Sequence, residues 1–275
     1  MKPSCLNLAL ISAAITGGSS TTAVARQQLS KLSESGKPLN VVFILSDDHR
    51  YDYMGFVGKV PWLETPAMDR MAREGAWIRN AFVTTSLSSP SRASILTGMY
   101  SHSHKVVDNS APMPAGLTFF PEYLQQVGYQ TGFFGKWHMG NDTGDPQPGF
   151  NHWESFSGQG EYYNPRLNVN GKWIRYADST YVTDLLTTHA IEFMKQQQTS
   201  HKPFMVYLSH KGVHDNFSPA KRHKGCYSGK PLVIPPSFDT SKEKIKALPT
   251  IDPSTGKAAS GKEYYGENML PDWVK

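Results

Sequence analysis

Leu39-Asn40-Val41-Val42-Phe43-Ile44-Leu45 is a nearly continuous aliphatic and β-branched run, and no other stretch constrains the fold as strongly. A run without polar alternation suits a strand covered on both faces, so it predicts a central, parallel strand of a layered α/β sheet. Directly after it stand Ser46-Asp47-Asp48-His49. In open α/β sheets ligands bind beyond the carboxyl ends of the strands, so two adjacent carboxylates there are well placed for a hard cation. The same dipeptide also suits a solvated turn with capping aspartates.

The pattern of apolar run followed by chemistry recurs. Tyr129 to Phe134 predicts a short strand leading to Gly135-Lys136-Trp137-His138-Met139-Gly140. Residues two apart in extended backbone share a side, which puts the Lys136 ammonium and the His138 imidazole on one face as an anion clamp with a proton-transfer group. Phe204 to Leu208 predicts another buried strand, followed by Ser209-His210-Lys211-Gly212-Val213-His214, and Trp77 to Val83 predicts a further one. Helical patterns lie between them: Thr65 to Gly75, with Pro66 at its first position and a packing stripe of Ala67, Met68, Met71 and Ala72; Thr118 to Val127; and Tyr181 to Met194. This alternation predicts a doubly wound, mostly parallel α/β sheet flanked by helices, with four strands delivering ionisable residues to one edge.

One more stretch, Ser88-Ser89-Pro90-Ser91-Arg92-Ala93-Ser94-Ile95-Leu96-Thr97-Gly98, follows the segment ending at Val83. Pro90 suits the first turn of a helix, which sets Ser88 just before a helix N-terminus, where orphan amides and the macrodipole favour an anion. Arg92, one turn on, can bring a planar, permanently charged fork beside it. An ordinary N-cap is the alternative role for Ser88.

Composition narrows the function classes. The net charge of +5 falls to +4 without the first 25 residues, because Lys2 is the only charge among them. A balance so mild and dispersed suits sulfated polyanions and argues against nucleic acid as partner. Lys2, the apolar run from Leu6 to Ile15 and Ala23-Val24-Ala25 read as a secretory signal peptide over residues 1–25, with a polar spacer at 26–38. No stretch has the length of apolar sequence that a membrane span requires. Only Cys226 follows the signal segment, which leaves no partner for an internal disulfide and fits a bacterial periplasmic or secreted protein. The lysine-rich stretches Lys221 to Lys224 and Lys242 to Lys246 read as solvated faces.

Ser-x-Pro-Ser-Arg followed by Leu-Thr-Gly resembles the signature of the sulfatase family, and Asp47-Asp48, Gly-Lys-Trp-His at 135–138 and the histidine after the last clear strand extend the likeness from Val41 to His214. The resemblance implies an alkaline-phosphatase-like fold, a calcium ion, and oxidation of Ser88 to formylglycine (3-oxoalanine), whose hydrated form offers a hydroxyl to sulfur. Carried onto this sequence, it makes Asp47, Asp48 and Ser88 calcium ligands. Arg92 would steady the hydrated aldehyde, Lys136 would bind a sulfate oxygen, and His138 would take the proton whose removal expels sulfate. His214 is the leaving-group contact or general acid, with His210 as alternate. A serine-type motif further implies an anaerobic sulfatase-maturating enzyme acting in the bacterial cytoplasm before export.

Val107-Asp108-Asn109, the segment Glu161 to Lys172 and Tyr181-Val182-Thr183-Asp184 resemble the N-acetylglucosamine-6-sulfatase branch, implying a 6-O-sulfated sugar of glycosaminoglycans or mucin glycans as substrate. Read without that resemblance, residues 161–170 form a polar hairpin turning at Asn170-Gly171. Sulfatases take further calcium ligands, a second substrate lysine and a C-terminal subdomain from later sequence. None is legible between Asp215 and Lys275, so residues 39–275 read as the N-terminal part of a longer catalytic domain. Two alternatives stand beside sulfate-ester hydrolysis: a phosphatase, phosphodiesterase or phosphonate monoester hydrolase of the same superfamily, and a non-catalytic chain that only binds sulfated glycans.

Overall fold

The computed structural model describes residues 38–140 and 143–234. The signal segment, most of the spacer and the lysines from Lys242 to Lys246 lie outside these residues. Six strands form one mixed sheet in the order β1-β6-β2-β3-β4-β5. They are β1 (Val41–Leu45), β2 (Gln130–Lys136), β3 (His152–Phe156), β4 (Arg166–Val169), β5 (Lys172–Arg175) and β6 (Phe204–Ser209). β1, β6, β2 and β3 run parallel, while β4 and β5 add antiparallel. The helices are α1 (Pro66–Glu74), α2 (Ser88–Thr97), α3 (Ser101–His104), α4 (Phe120–Gln126) and α5 (Val182–Ser200).

Alternation along the strands builds a separate core on each face. On one side Phe133, Trp153, Met205 and Tyr207 pack with Ala93 and Leu96 of α2 and with Phe119, Trp137 and Met139. On the other, Phe134, Val206 and Leu208 pack with Leu186, Ala190 and Phe193 of α5. Helices on both faces make the doubly wound, three-layer arrangement that the sequence predicts. The β4–β5 hairpin turns at Asn170 and Gly171, with φ of 50° and 89°, the left-handed pair that a two-residue turn between twisted strands requires.

Three expectations change. β1 is parallel but not central: among the described strands it is the edge, paired only to β6, with Val42 47% and Ile44 54% exposed. Trp77 to Val83 forms no strand, because no described segment pairs with it, and Phe82 is 90% exposed. α1 starts and stops where its Pro and Gly signals place it, yet none of its residues is buried and Met71 stands out in solvent.

β2 and β6 approach closely at their carboxyl ends. Gly135 has φ of 115°, and a Cβ there would sit 1.8 Å from the Ser209 carbonyl oxygen. Only glycine permits that approach, which sets Lys136 and Ser209 side by side.

Candidate active site

The carboxyl ends of β1, β2 and β6 and the N-terminus of α2 meet in one place. Leu87, in extended conformation, is the N-cap of α2, and Ser88 is its first helical residue; Ser91 N–H bonds the Leu87 carbonyl at 3.0 Å. Ser88 therefore lies inside the first turn, one position later than expected, and Pro90 is third. Its neighbour Ser89 fixes this turn on β2's exit: the hydroxyl donates to the His138 carbonyl at 2.6 Å, and the Ser89 N–H donates to Asn109 Oδ1 at 3.0 Å.

Arg92 is buried one turn further on. Its Nη1 donates to the Lys136 carbonyl at 2.8 Å and to Ser209 Oγ at 2.7 Å, and Nη2 lies 3.5 Å from Asp47 Oδ1. Its Nε finds no acceptor among the described residues, so one donor of the fork is unspent. The fork reaches the strand ends and Asp47, the carboxylate partner of this buried charge. Lys136 is fully buried and donates to Asp47 Oδ2 at 2.5 Å and to Gln159 Oε1 at 2.5 Å. Burial pushes both cations' pKa values down, and Asp47 opposes this.

Asp47 stands two residues past the end of β1; its own N–H donates to the Gly212 carbonyl at 2.9 Å while Val213 N–H donates back to the Asp47 carbonyl at 2.8 Å. This exchange ties β1's exit to the loop after β6. The two aspartates part here: Asp47 is 6% exposed and faces the cations, whereas Asp48, at φ of 53°, is 61% exposed. His214 Nε2 lies 3.5 Å from Asp48 Oδ2, and its Nδ1 lies 2.7 Å from Asp215 Oδ1.

His138 stands just past β2 with φ of 52°, so it shares a side with Lys136 through a turn and not through strand alternation. Burial, then the charges of Lys136 and Arg92, lower its pKa to about 4. The imidazole is thus neutral near pH 7 and keeps a lone pair for a proton.

The structure brings Asp47, Arg92, Lys136 and His138 into one cluster beside the turn that carries Ser88, with Asp48 and His214 adjoining it. His210 stands apart: its N–H donates to the Leu45 carbonyl at 2.9 Å, its Nδ1 has no hydrogen-bond partner among the described residues, and burial lowers its pKa. The exits of β1, β2 and β6 and the first turns of α2 supply the predicted residues, in place of four strands, and the loop after β3 adds Gln159. Two of the site's residues escaped sequence reasoning. Gln159 carries no motif of its own. Lys211, buried beneath the loop, donates to the Asp215 carbonyl at 3.2 Å and lies 4.8 Å from the Tyr162 ring centroid; its signal was the charge between His210 and His214.

Asp47 and Asp48 are hard oxygen donors suited in kind to calcium, but two carboxylates fall short of the six to eight oxygens it takes. Among the described residues no group of three or more carboxylate, histidine or cysteine side chains converges on a cation site.

The architecture is that of the alkaline-phosphatase-like α/β proteins, with cations gathered at the carboxyl ends of the strands. The sulfatase family model matches residues 39–232. The chain is 38% identical over 225 residues to an N-acetylglucosamine-6-O-sulfatase from Bacteroides thetaiotaomicron, covering 80% of this chain and 39% of that relative. Among solved structures, BT4656 in complex with its substrate D-glucosamine-2-N,6-O-disulfate superimposes with a TM-score of 0.66 at 39% identity, over 73% of this chain and 40% of that one. The phosphonate monoester hydrolase of Agrobacterium radiobacter shares the fold at 22% identity and a TM-score of 0.51, over 69% of this chain and 44% of that one. The chain belongs to the sulfatase family. It spans about two fifths of the length of the N-acetylglucosamine-6-O-sulfatase it matches.

Proposed function

We propose that this chain acts in the hydrolysis of sulfate esters, with a 6-O-sulfated N-acetylglucosamine or glucosamine unit as substrate. The observation that carries this reading is the cluster of Arg92, Lys136 and His138 held by Asp47 beside the first turn of α2, the turn that begins with Ser88. Two buried cations and a helix N-terminus suit a sulfate group. The name of the Bacteroides thetaiotaomicron relative and the glucosamine disulfate bound to BT4656 support the choice of sugar.

Formylglycine formed from Ser88 by an anaerobic maturase would supply a hydrated aldehyde able to attack sulfur and afterwards release the sulfate. Calcium held by Asp47, Asp48 and further oxygens would neutralise the sulfate's charge. The remaining work falls to this chain's own side chains. Lys136 lies under the site as a fixed positive charge for a sulfate oxygen, and Asp47 holds it there. Arg92 locks the exit of β2 by holding the Lys136 carbonyl, so residues 136–138 keep their place when the anion arrives. His138, neutral near pH 7, accepts a proton from the hydroxyl at position 88. His214, beside Asp48, meets the leaving oxygen as a proton donor. A signal peptide at residues 1–25 and export to the periplasm or medium complete this reading; among the described residues no helix is long and apolar enough to cross a membrane.

The test is sulfate release from 6-O-sulfated N-acetylglucosamine by the chain co-expressed with an anaerobic maturase, with the 6-phosphate of the same sugar as comparison. Release of sulfate in preference to phosphate is expected. Preference for phosphate would move the site to the phosphoryl-transfer branch of the superfamily. Binding without release of either would leave the carbohydrate-binding alternative.

A further inference from the structure

The segment after β6 carries His214, and tyrosines from elsewhere in the chain hold its backbone. Tyr162 and Tyr163 lie between β3 and β4, and Tyr181 is the N-cap of α5. Tyr163 and Tyr181 form an isolated antiparallel bridge, and the Tyr181 ring centroid lies 6.0 Å from that of Tyr162 and 5.1 Å from that of Tyr163. All three hydroxyls donate to carbonyls of the one segment: Tyr162 to His214 at 2.5 Å, Tyr181 to Ser218 at 3.1 Å and Tyr163 to Pro219 at 2.8 Å. The three tyrosines come from the stretches 161–172 and 181–184, whose motif the proposed chemistry leaves without a role.

Lys211 completes the hold. It is 4% exposed, its Nζ lies 4.8 Å from the Tyr162 ring centroid, and it donates to the Asp215 carbonyl at 3.2 Å. An ammonium buried against a carbonyl and a ring costs stability, so apolar packing alone does not explain it. The successive carbonyls of His214 and Asp215 thus end on Tyr162 and Lys211, two side chains in contact with each other. On the other side Asp47 takes Gly212 and Val213, and His214 N–H donates to the Lys211 carbonyl at 3.0 Å. The imidazole itself meets other groups. Its Nδ1 lies 2.7 Å from Asp215 Oδ1 and 3.0 Å from the Asp215 carbonyl oxygen, and its Nε2 lies 3.5 Å from Asp48 Oδ2. Two of these three contacts are with the residue whose carbonyl Lys211 holds.

We infer that Tyr162 and Lys211 are positioning residues for His214: they fix the carbonyls of His214 and Asp215 and so keep the imidazole at its place beside Asp48. Neither touches the imidazole; both act through the peptide that bears it. The role rests on the function proposed above, in which His214 gives a proton to the leaving sugar oxygen, a transfer that depends on where the ring is held.

Tyr162→Phe removes one hydroxyl and keeps the ring beside Lys211 and Tyr181. Without turnover, amide exchange of Val213 and His214 should quicken about 10-fold, the change that one hydrogen bond lost from a buried carbonyl allows, while β6 keeps its protection. In matured enzyme, kcat for 6-O-sulfated N-acetylglucosamine should fall about 10-fold with KM little changed, part of what a general acid supplies. In a His214→Gln background the same substitution should lower kcat no further, because its effect passes through a group already removed. A hydroxyl that only supports the fold would cost the same in both backgrounds. Lys211→Met keeps the stem against Tyr162, removes the donor to Asp215 and should behave alike; it serves if Tyr162→Phe does not fold. Unchanged exchange at Val213 and His214, or equal losses of kcat with and without His214, overturns the inference. If exchange quickens as expected but the matured wild-type chain releases no sulfate, the proposed function fails and the hold on the His214 backbone stands.

Discussion

Replacing Asp47 by asparagine keeps the shape of the side chain and removes the carboxylate that Lys136 and Arg92 both contact. Both cations would then stay buried without that partner, which costs about 3–5 kcal/mol in comparable pairs. Urea denaturation of Asp47→Asn should show a lowered midpoint with the slope unchanged, the product of shift and slope giving that loss. His138 gives a pH dependence of the opposite origin. Its folded pKa of about 4 lies below the ordinary value of 6.5, so between these values the unfolded chain binds more protons. Its contribution is therefore complete above pH 6.5 and lost as pH falls towards 4, on the order of 3 kcal/mol at most. His138→Gln should flatten the stability profile in that window. At this scale the sequence was informative where a residue type is rare by itself: adjacent aspartates, a Lys-x-His after a strand, an arginine behind Ser-x-Pro-Ser. Gln159 was illegible because its meaning comes from the pairing of Lys136 with Phe156 across two strands, and a glutamine between glycines announces no chemistry.

Among the elements, α5 is fixed to the sheet by a polar clasp as well as by its apolar stripe. Glu154 of β3 is buried and accepts from His152 Nε2 at 2.7 Å and from His189 Nδ1 of α5 at 2.6 Å. Its hydrogen bond to Glu154 raises the pKa of His189, so that contribution is complete below pH 6.5 and is lost as pH rises through the raised value. Burial pushes Glu154 up, but the two histidines outweigh it and leave its pKa below the ordinary 4.5; its share is lost as pH falls through that lowered value. Melting temperature followed against pH should therefore fall on the alkaline side, and Glu154→Gln should remove that fall. A second element-level prediction concerns β2: Gly135→Ala drives a methyl group into the Ser209 carbonyl and should part β2 from β6, seen as loss of amide-exchange protection in both strands. The strands β2 and β6 and helix α5 were legible because their apolar runs and periodicity coincide with buried positions. Trp77 to Val83 has strand composition without a described partner, and composition alone does not pair a strand.

For the whole molecule, the sheet's layered build followed from the alternation of strand and helix, but the place of β1 did not. An unbroken run of aliphatic residues says that both faces want cover; it does not say which strand supplies it. In the described sheet β1 pairs on one side only, and Val42 and Ile44 remain open to solvent. Such an edge is a template for association, so light scattering should show concentration-dependent self-association that Val42→Lys reduces while leaving the far-ultraviolet circular dichroism unchanged. The proposed hydrolysis depends on Ser88 being the seat of a modified nucleophile, and one mass measurement tests this most directly. The proteolytic peptide containing Ser88, taken from chain made with an anaerobic maturase, should weigh about 2 Da less than its sequence requires, the change for a side-chain alcohol oxidised to the aldehyde of an activated nucleophile. An unmodified serine in a host shown to mature other serine-type sulfatases would contradict it.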